Sequence, residues 1–316
     1  MNLSHMTLAL ASVFLTPAAL ACSSCGCTLN ADWASQGLKS GSGLSLDLRH
    51  DRFDQNQLRS GTRKADTAAI TFPTDQEIQQ QTSNRNTTLS VDYGSGNGWG
   101  VTLQLPWIDR THTTIAEGDT DISGSDSSSV GDVRVLGRYQ GFSPERDWGL
   151  QFGLKLPTGA HDVNFSSGPQ AGQPLDRGLQ PGTGTTDLLL GVFRFGPINQ
   201  HLDYFAQALL QQPLNSKDGF KPGTGVNLTG GVRWVGEGAL VPQIQINGRI
   251  EDRESGANAD VPNSGATLFY LSPGATLSLT DRLQAYGFVQ VPIYQRVNGL
   301  QLEPKYSASI GLHYAY

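Results

Sequence analysis

Apolar and polar side chains alternate strictly along the last eleven residues of the chain, which read YSASIGLHYAY. Ala308, Ile310, Leu312, Tyr314 and Tyr316 share one face of an extended segment, and the residues between them share the other. A period of two residues indicates a β-strand with one apolar face, because successive side chains of a strand point to opposite sides. This periodicity is incompatible with an amphipathic helix, whose period is 3.6 residues.

The same alternation recurs along the chain, for example in WGVTLQLPW at 99–107 and in HLDYFAQALL at 201–210. The segments are about ten residues long, which is the length a tilted strand needs to cross a bilayer. Aromatic residues at their ends suit the two membrane interfaces. The pattern predicts about twelve strands, near 43–53, 86–94, 98–108, 130–140, 147–157, 185–195, 200–212, 225–236, 239–251, 266–279, 283–296 and 303–316.

The connections between these strands alternate between two lengths. Tight turns are predicted at 94–98, 141–147, 196–199, 236–238 and 280–282. Long polar loops are predicted at 54–85, 109–129, 158–184, 213–224 and 252–265, and one further loop, at 297–302, is short. Short turns on one rim and long loops on the other are typical of bacterial outer-membrane barrels.

These features predict an all-β fold, a transmembrane antiparallel up-and-down β-barrel with short periplasmic turns and longer extracellular loops. A soluble β-sandwich also alternates, but it explains neither the two loop lengths nor the aromatic residue at the last position. In lipid every backbone N–H and C=O must be paired within the protein, so a sheet of this kind has to close on itself.

The first residues of the chain resemble an export signal. Residues 7–21 form an uncharged apolar stretch that ends in Ala-Leu-Ala, the small-residue pattern of a signal-peptidase site. We therefore expect a signal peptide at 1–21, a cysteine-bearing periplasmic or plug segment at 22–42, and a barrel at 43–316. Export and the barrel pattern together predict the outer membrane of a Gram-negative bacterium, with its lipid as one partner.

Composition and motifs limit the function. The net charge of −6 argues against a nucleic-acid surface. The chain contains no G-x-S-x-G, H-E-x-x-H or P-loop sequence, so we do not expect an enzyme. The acidic stretch at 119–130 has Val130 where a calcium loop requires Glu, and it is interpreted as a solvated loop. The two PGTG stretches, at 181–184 and 222–225, are interpreted as strand-boundary sequences.

If the apolar face meets lipid, the opposite face lines the lumen. Charged residues of both signs are predicted there: Asp47, Arg49, Asp51, Asp92, Asp132, Arg134, Arg138, Lys155, Asp187, His201, Asp203, Arg233, Arg249, Glu251 and His313. Mixed charge of this kind suits a wet lumen or a set of ion pairs in a narrow one. Four apolar residues are also predicted to face inward, either as a path for an aromatic or acyl solute or as space-filling groups: Phe193, Phe205, Tyr286 and Phe288.

All three cysteines of the chain, Cys22, Cys25 and Cys27, lie within six residues directly after the predicted signal peptide. Three interpretations stay open: Cys22 carries a lipid, Cys22 and Cys25 form a disulfide, or the three thiolates bind a soft metal such as a copper ion. Thiolates are suitable Cu(I) ligands, and a structural zinc site would want a fourth ligand. A metal or thiol-redox role would imply a periplasmic metal or thiol protein as a partner.

The stretches GDVRVLGRYQ, GLQFGLKLPTG, LQPGTGTTDLLLGVFRF and YFAQALLQQPL resemble the outer-membrane, transporter-like family labelled for the MetA pathway of phenol degradation. The similarity covers roughly 87–316. The resemblance implies a channel or uptake barrel for a small, hydrophobic or aromatic solute. The alternative is a non-conducting barrel scaffold that presents the cysteine segment to its periplasmic partner.

Overall fold

A computed structural model describes residues 42–316. The expected signal peptide and nearly all of the expected cysteine-bearing segment lie outside the described residues. The described part forms one antiparallel sheet, and among its residues no helix is long and apolar enough to span a membrane. Its strands are β1 (Gly43–Gly61), β2 (Arg63–Lys64), β3 (Ile78–Gly94), β4 (Trp99–Ile115), β5 (Ser123–Val130), β6 (Arg134–Tyr139), β7 (Trp148–Lys155), β8 (Asp187–Asn199), β9 (Leu202–Pro213), β10 (Gly225–Trp234), β11 (Leu240–Glu251), β12 (Ala266–Ser278) and β13 (Leu283–Ala315). Two short 3₁₀ helices span Thr67–Ala69 and Arg177–Leu179.

The sheet closes into a barrel, as the alternation predicts. Each ring strand pairs with the next along the chain, and β13 pairs with β1 to complete the ring, while β2 and β5 lie outside it. Strand β13 bends near Gly299, so its first part pairs with β12 and its second part with β1. The eleven strands of the ring therefore cross the wall twelve times, and no crossing strand is left with an open edge.

Four predicted connections need correction, and one of them is the short loop at 297–302, whose residues belong to β13. Residues 196–199 are not a turn, because β8 continues to Asn199 with an irregularity after Pro197, and the turn lies at 200–201. The predicted loops 54–85 and 109–129 are shorter than expected, because β1, β3, β4 and β5 extend into them. These extensions carry polar residues on both faces, so their pairing is invisible to hydrophobic alternation.

The outward face carries an apolar band. On β4, Trp99, Val101 and Trp107 are 53%, 51% and 46% exposed, and the next outward residues are Asp109 and Thr111. Eight residue steps of a strand span roughly 26 Å along its axis, or about 20 Å of height at a tilt of roughly 40°, which is comparable to the roughly 25 Å apolar band of outer-membrane barrels. Large apolar side chains exposed in this pattern are suited to contact lipid instead of water.

Aromatic rings cluster at the rim that carries the short turns. Trp99 packs against Tyr139 with ring centroids 4.5 Å apart, and Phe142 stacks on Trp148 at 4.4 Å. Indole and phenol groups favour the membrane–water interface, because each combines an apolar ring with a polar atom. This girdle fixes the depth of the barrel in the membrane.

Candidate functional site: a basic cavity in the lumen

A cavity of about 240 Å³ lies inside the barrel. Its walls come from strands on opposite sides of the ring and from the β7–β8 and β9–β10 loops. The lining residues are Asp47, Arg49, Asn86, Thr88, Ser90, Gln104, Pro106, Ile108, Arg110, Asp132, Arg134, Lys155, Arg177, Gln180, Pro181, Thr183, Gln211, Pro222, Gly223, Asn227, Arg249 and Glu251. The lining is mostly polar, which indicates a site for a solvated solute.

The charges of this lining are mainly positive. Six lining residues are basic and three are acidic, whereas the whole chain carries a net charge of −6. The basic groups are Arg49, Arg110, Arg134, Lys155, Arg177 and Arg249, and the acidic groups are Asp47, Asp132 and Glu251. Charges of one sign lining a low-dielectric cleft focus the field and concentrate counter-ions.

Seven of the charged residues predicted from the sequence to face the lumen line this cavity, and Asp187 lies directly behind Lys155, with its Oδ2 atom 3.2 Å from the Lys155 Nζ atom. Further predicted residues are paired elsewhere on the inward face. Arg138 donates to both carboxylate oxygens of Asp92, and Arg233 Nη2 donates to Asp203 Oδ2 at 3.1 Å.

Two more of the predicted lumen residues, Asp51 and His313, lie on β1 and on the last strand. His313 Nδ1 lies 3.8 Å from Asp47 Oδ2, and Arg49 Nε donates to Asp51 Oδ2 at 2.7 Å. All four side chains are buried inside the barrel. These contacts show that a lumen of mixed charge also contains ion pairs along its wall.

His201 does not line the lumen. It lies in the exposed turn 200–201, and its ring stacks on Trp234 with centroids 5.7 Å apart. The regular alternation of side chains ends with the strand. The position of a turn residue in the sequence therefore no longer predicts which face of the wall its side chain points to. His201 belongs to the interfacial girdle.

Asp132 joins the two ends of the β7–β8 loop, residues 156–186. Its carboxylate accepts hydrogen bonds from Lys155 Nζ at 2.8 Å, Gly159 N at 3.1 Å, and the backbone and hydroxyl groups of Thr183 at 3.0 and 2.9 Å. Lys155 lies between Asp132 and Asp187 and is almost fully buried. Multiple donors to one buried carboxylate compensate for its lost hydration.

The loop ends also touch through their backbones. A Cβ atom on Gly182 would lie 2.5 Å from the carbonyl carbon of Gly159, closer than real Cβ contacts allow. Gly182 N donates to Ala160 O at 2.8 Å. The sequences LPTG at 156–159 and PGTG at 181–184 therefore form one contact, in which glycine is required for close approach of two chain segments.

The same loop extends into the lumen. Arg110, an inward-facing residue of β4, donates to Leu179 O at 2.7 Å, and Leu179 packs with Phe165 and Leu175 in a small apolar core of the loop. Arg177 donates to His161 O and Thr183 O, both at 2.9 Å. The loop thus narrows the barrel and supplies one side of the cavity.

Two charged groups outside the membrane-spanning strands have shifted pKa values. Burial lowers the pKa of Arg177, and the carboxylate of Asp218, 3.8 Å away, acts in the opposite direction. A guanidinium keeps its charge at neutral pH, so Arg177 remains a cation in the cavity wall. At the short-turn rim, a hydrogen bond from Ser143 lowers the pKa of the partly exposed Asp147.

Arg110, Arg177, Gln180 and Thr183 were not predicted as lumen residues. The last three lie in a predicted loop, where alternation carries no information about direction. Arg110 follows Ile108 in the alternation of β4, so extending that strand by two residues would have found it. The four predicted inward aromatic residues are buried, and none of them contributes to the lining of this cavity.

The part of the chain that the structure describes contains no candidate metal site. No group of three or more His, Cys, Asp or Glu residues within 42–316 is arranged to hold a metal ion. Cys22, Cys25 and Cys27 lie outside these residues, so their assignment as metal ligands stays a prediction.

The closed antiparallel barrel, its lipid-facing band and its aromatic girdle define a β-barrel of the Gram-negative outer membrane. No protein-family model matches the sequence, and no curated protein matches it. The family resemblance inferred from short motifs therefore stays a prediction.

Among solved structures, the chain is similar to the COG4313 outer membrane channel from Pseudomonas putida F1. The TM-score is 0.61 and the identity 10%, over 88% of this chain and 97% of that chain. The CymD monoaromatic hydrocarbon channel matches with a TM-score of 0.43 and 8% identity, over 87% and 90% of the two chains. At 10% identity, the match to the COG4313 channel shows a shared fold alone.

Proposed function

We propose that this protein is an outer-membrane channel that conducts a small solute through the cavity described above. The observation that supports the proposal is a polar cavity enclosed by a complete barrel and narrowed by its own β7–β8 loop. A transmembrane wall with a polar interior offers a solute a path that lipid does not. The proposal assigns no chemical step to the cavity.

The class of solute has two candidates. The motif resemblance implies a hydrophobic or aromatic solute, and Phe193, Phe205, Tyr286 and Phe288 would contribute to its path. The cavity lining favours a polar solute, because most of its residues carry amide, hydroxyl or charged groups. An uncharged hydrocarbon would displace water from these groups without replacing their hydrogen bonds, which costs free energy.

The test is single-channel recording of the full chain in planar bilayers. We expect discrete current steps, and we expect Thr88→Trp to reduce the step size because Thr88 lines the cavity. The matched control is Leu89→Trp, one residue along the same strand, where the side chain is exposed on the lipid-facing side. Equal step sizes in the two variants would contradict conduction through this cavity, and an absence of steps would contradict the channel itself.

The alternative is a non-conducting scaffold that presents Cys22, Cys25 and Cys27 to a periplasmic metal or thiol protein. It predicts no current steps and about one copper ion per mature chain. Intact-mass analysis, thiol labelling and metal analysis of one sample distinguish a copper site from a lipidated Cys22 or a disulfide. A lipid mass addition on Cys22 would leave Cys25 and Cys27 as a pair.

A further inference from the structure

We propose that Arg134 is the centre of a binding site for a small carboxylate anion, and that this site makes the barrel select anions over cations. The inference rests on the proposed channel function and specifies its solute class. Its starting observation is the excess of basic over acidic groups in the cavity lining of an acidic protein.

Arg49 and Arg249, two other basic residues of the cavity, have acidic partners nearby. Arg49 is paired with Asp51 at 2.7 Å, and Arg249 with Glu251 at 2.9 Å, each two residues along its own strand. Pairing of this kind fixes a guanidinium in place and neutralises part of its charge. Arg49 and Arg249 therefore add rigid walls to the site and little net positive charge.

Arg134 differs from them. Among residues 42–316, none of the acidic side chains forms an ion pair with it, and its polar contact is Gln211 Oε1, 3.5 Å from its Nη2 atom. It faces the same cavity as the paired arginines. A partly buried cation without a counter-charge in direct contact is poorly compensated, and an anion from solution would relieve this cost.

The neighbours of Arg134 in the sheet strengthen the argument. Lys155 lies directly opposite Arg134 on β7, and Gln104 lies directly opposite it on β4. Like charges in directly opposite positions of a sheet repel each other. Asp132 and Asp187 bind Lys155 from their own positions, so Lys155 is compensated and Arg134 is the group with spare capacity.

The chemistry of the site favours a carboxylate. A guanidinium binds a carboxylate through two parallel hydrogen bonds, and side-chain amides such as that of Gln104 can add a further donor. A cavity of about 240 Å³ restricts the solute to a small molecule. Cations that enter the cavity would be repelled by the guanidinium of Arg134, which has no direct ion-pair partner among residues 42–316.

The experiment combines reversal potentials with equilibrium binding, using the full chain and benzoate as the probe anion. In a potassium chloride gradient, and after chloride is replaced by benzoate, we expect the wild-type protein to pass anions in preference to potassium. We expect Arg134→Gln to lower the anion-to-cation permeability ratio and to weaken benzoate binding about tenfold, the effect of losing one charge-assisted hydrogen bond. Arg134→Lys should retain much of the selectivity.

The matched control is Arg194→Gln, because Arg194 is an exposed arginine near the short-turn rim. We expect the same selectivity and binding as in the wild-type protein. Current steps with preference for potassium, or an unchanged reversal potential in Arg134→Gln, would overturn the anion site and leave the channel intact. An absence of current would overturn the channel, and benzoate titration of the detergent-solubilised protein would then decide the anion site separately, with undiminished binding in Arg134→Gln counting against it.

Discussion

Two regions of buried polar groups differ in how those groups are satisfied. At the base of the β7–β8 loop, Asp132 accepts four hydrogen bonds, and Lys155 lies between two carboxylates. At the long-loop ends of β3 and β4, both carboxylate oxygens of Glu77 are buried without a hydrogen-bond partner, as is the whole amide of Gln79. His112 Nε2 lies 4.0 Å from Glu77, beyond hydrogen-bond distance.

This difference distinguishes two uses of buried polarity. A polar cluster in which every group is bonded holds chain segments together, because losing one member leaves the others buried and unpaired. A cluster with unbonded groups costs stability and retains capacity to bind water or ions. By this criterion the bonded groups at the loop base stabilise the fold, whereas the unbonded groups at the ends of β3 and β4 reduce its stability.

The largest expected effect follows removal of the carboxylate at the loop base. Asp132→Ala leaves the donors of Lys155, Gly159 and Thr183 without their shared acceptor, so we expect a loss of about 3–5 kcal/mol in the free energy of unfolding. Denaturant unfolding in detergent measures it. Asp126→Ala is the control, because Asp126 is exposed on β5. Equal stability of the two variants would show that the loop base does not hold the loop.

A smaller loss should follow a change at the glycine contact. Gly182→Ala places a Cβ atom 2.5 Å from the Gly159 backbone, so the segments must separate, at a cost of about 1–3 kcal/mol. We expect larger current steps as the loop loosens, together with faster proteolysis within 156–186. Gly230→Ala is the control, since a Cβ atom there would lie 3.9 Å from its nearest neighbour, Phe205 O. Matching proteolysis rates would contradict the close contact.

At the ends of β3 and β4, we expect a change of the opposite sign in the free energy of unfolding. Glu77→Gln removes a charge that no donor compensates, so the free energy of unfolding should stay equal or rise by about 1–2 kcal/mol. The measurement is denaturant unfolding of Glu77→Gln and of Asp132→Asn, which makes the same carboxylate-to-amide change at the loop base. A loss of stability in Glu77→Gln as large as in Asp132→Asn would mean that the Glu77 carboxylate has a partner after all.

The smallest effect concerns the short-turn rim. Ser143→Ala removes the hydrogen bond that lowers the pKa of Asp147, so that pKa should rise towards its ordinary value. A carboxyl group with a lowered folded-state pKa contributes stability above its unfolded-state value, and the contribution is lost as pH falls through the folded-state pKa. NMR titration of Asp147 measures the change, and an unchanged titration would exclude Ser143 as the cause.

Sequence reasoning was most successful where side chains alternate between lipid and lumen. Trp99, Val101 and Trp107 show the lipid-facing pattern without any tertiary information, because a single strand already separates the two faces. It was least successful in loops and turns. His201 and Thr183 lie where the period of two residues ends, so their directions depend on what the chain packs against.

By itself the sequence determined that strands of membrane-spanning length alternate between apolar and polar faces, and hence that the sheet must close. The tertiary structure alone decided that the β7–β8 loop turns inward to Asp132, and that Arg134 faces a shared cavity beside Lys155 without an acidic partner of its own among the described residues. The physical reason is the distance along the chain over which each property is determined. Alternation is a local property of one strand, whereas the balance of charge in the lumen is set by side chains that come together only when the barrel closes.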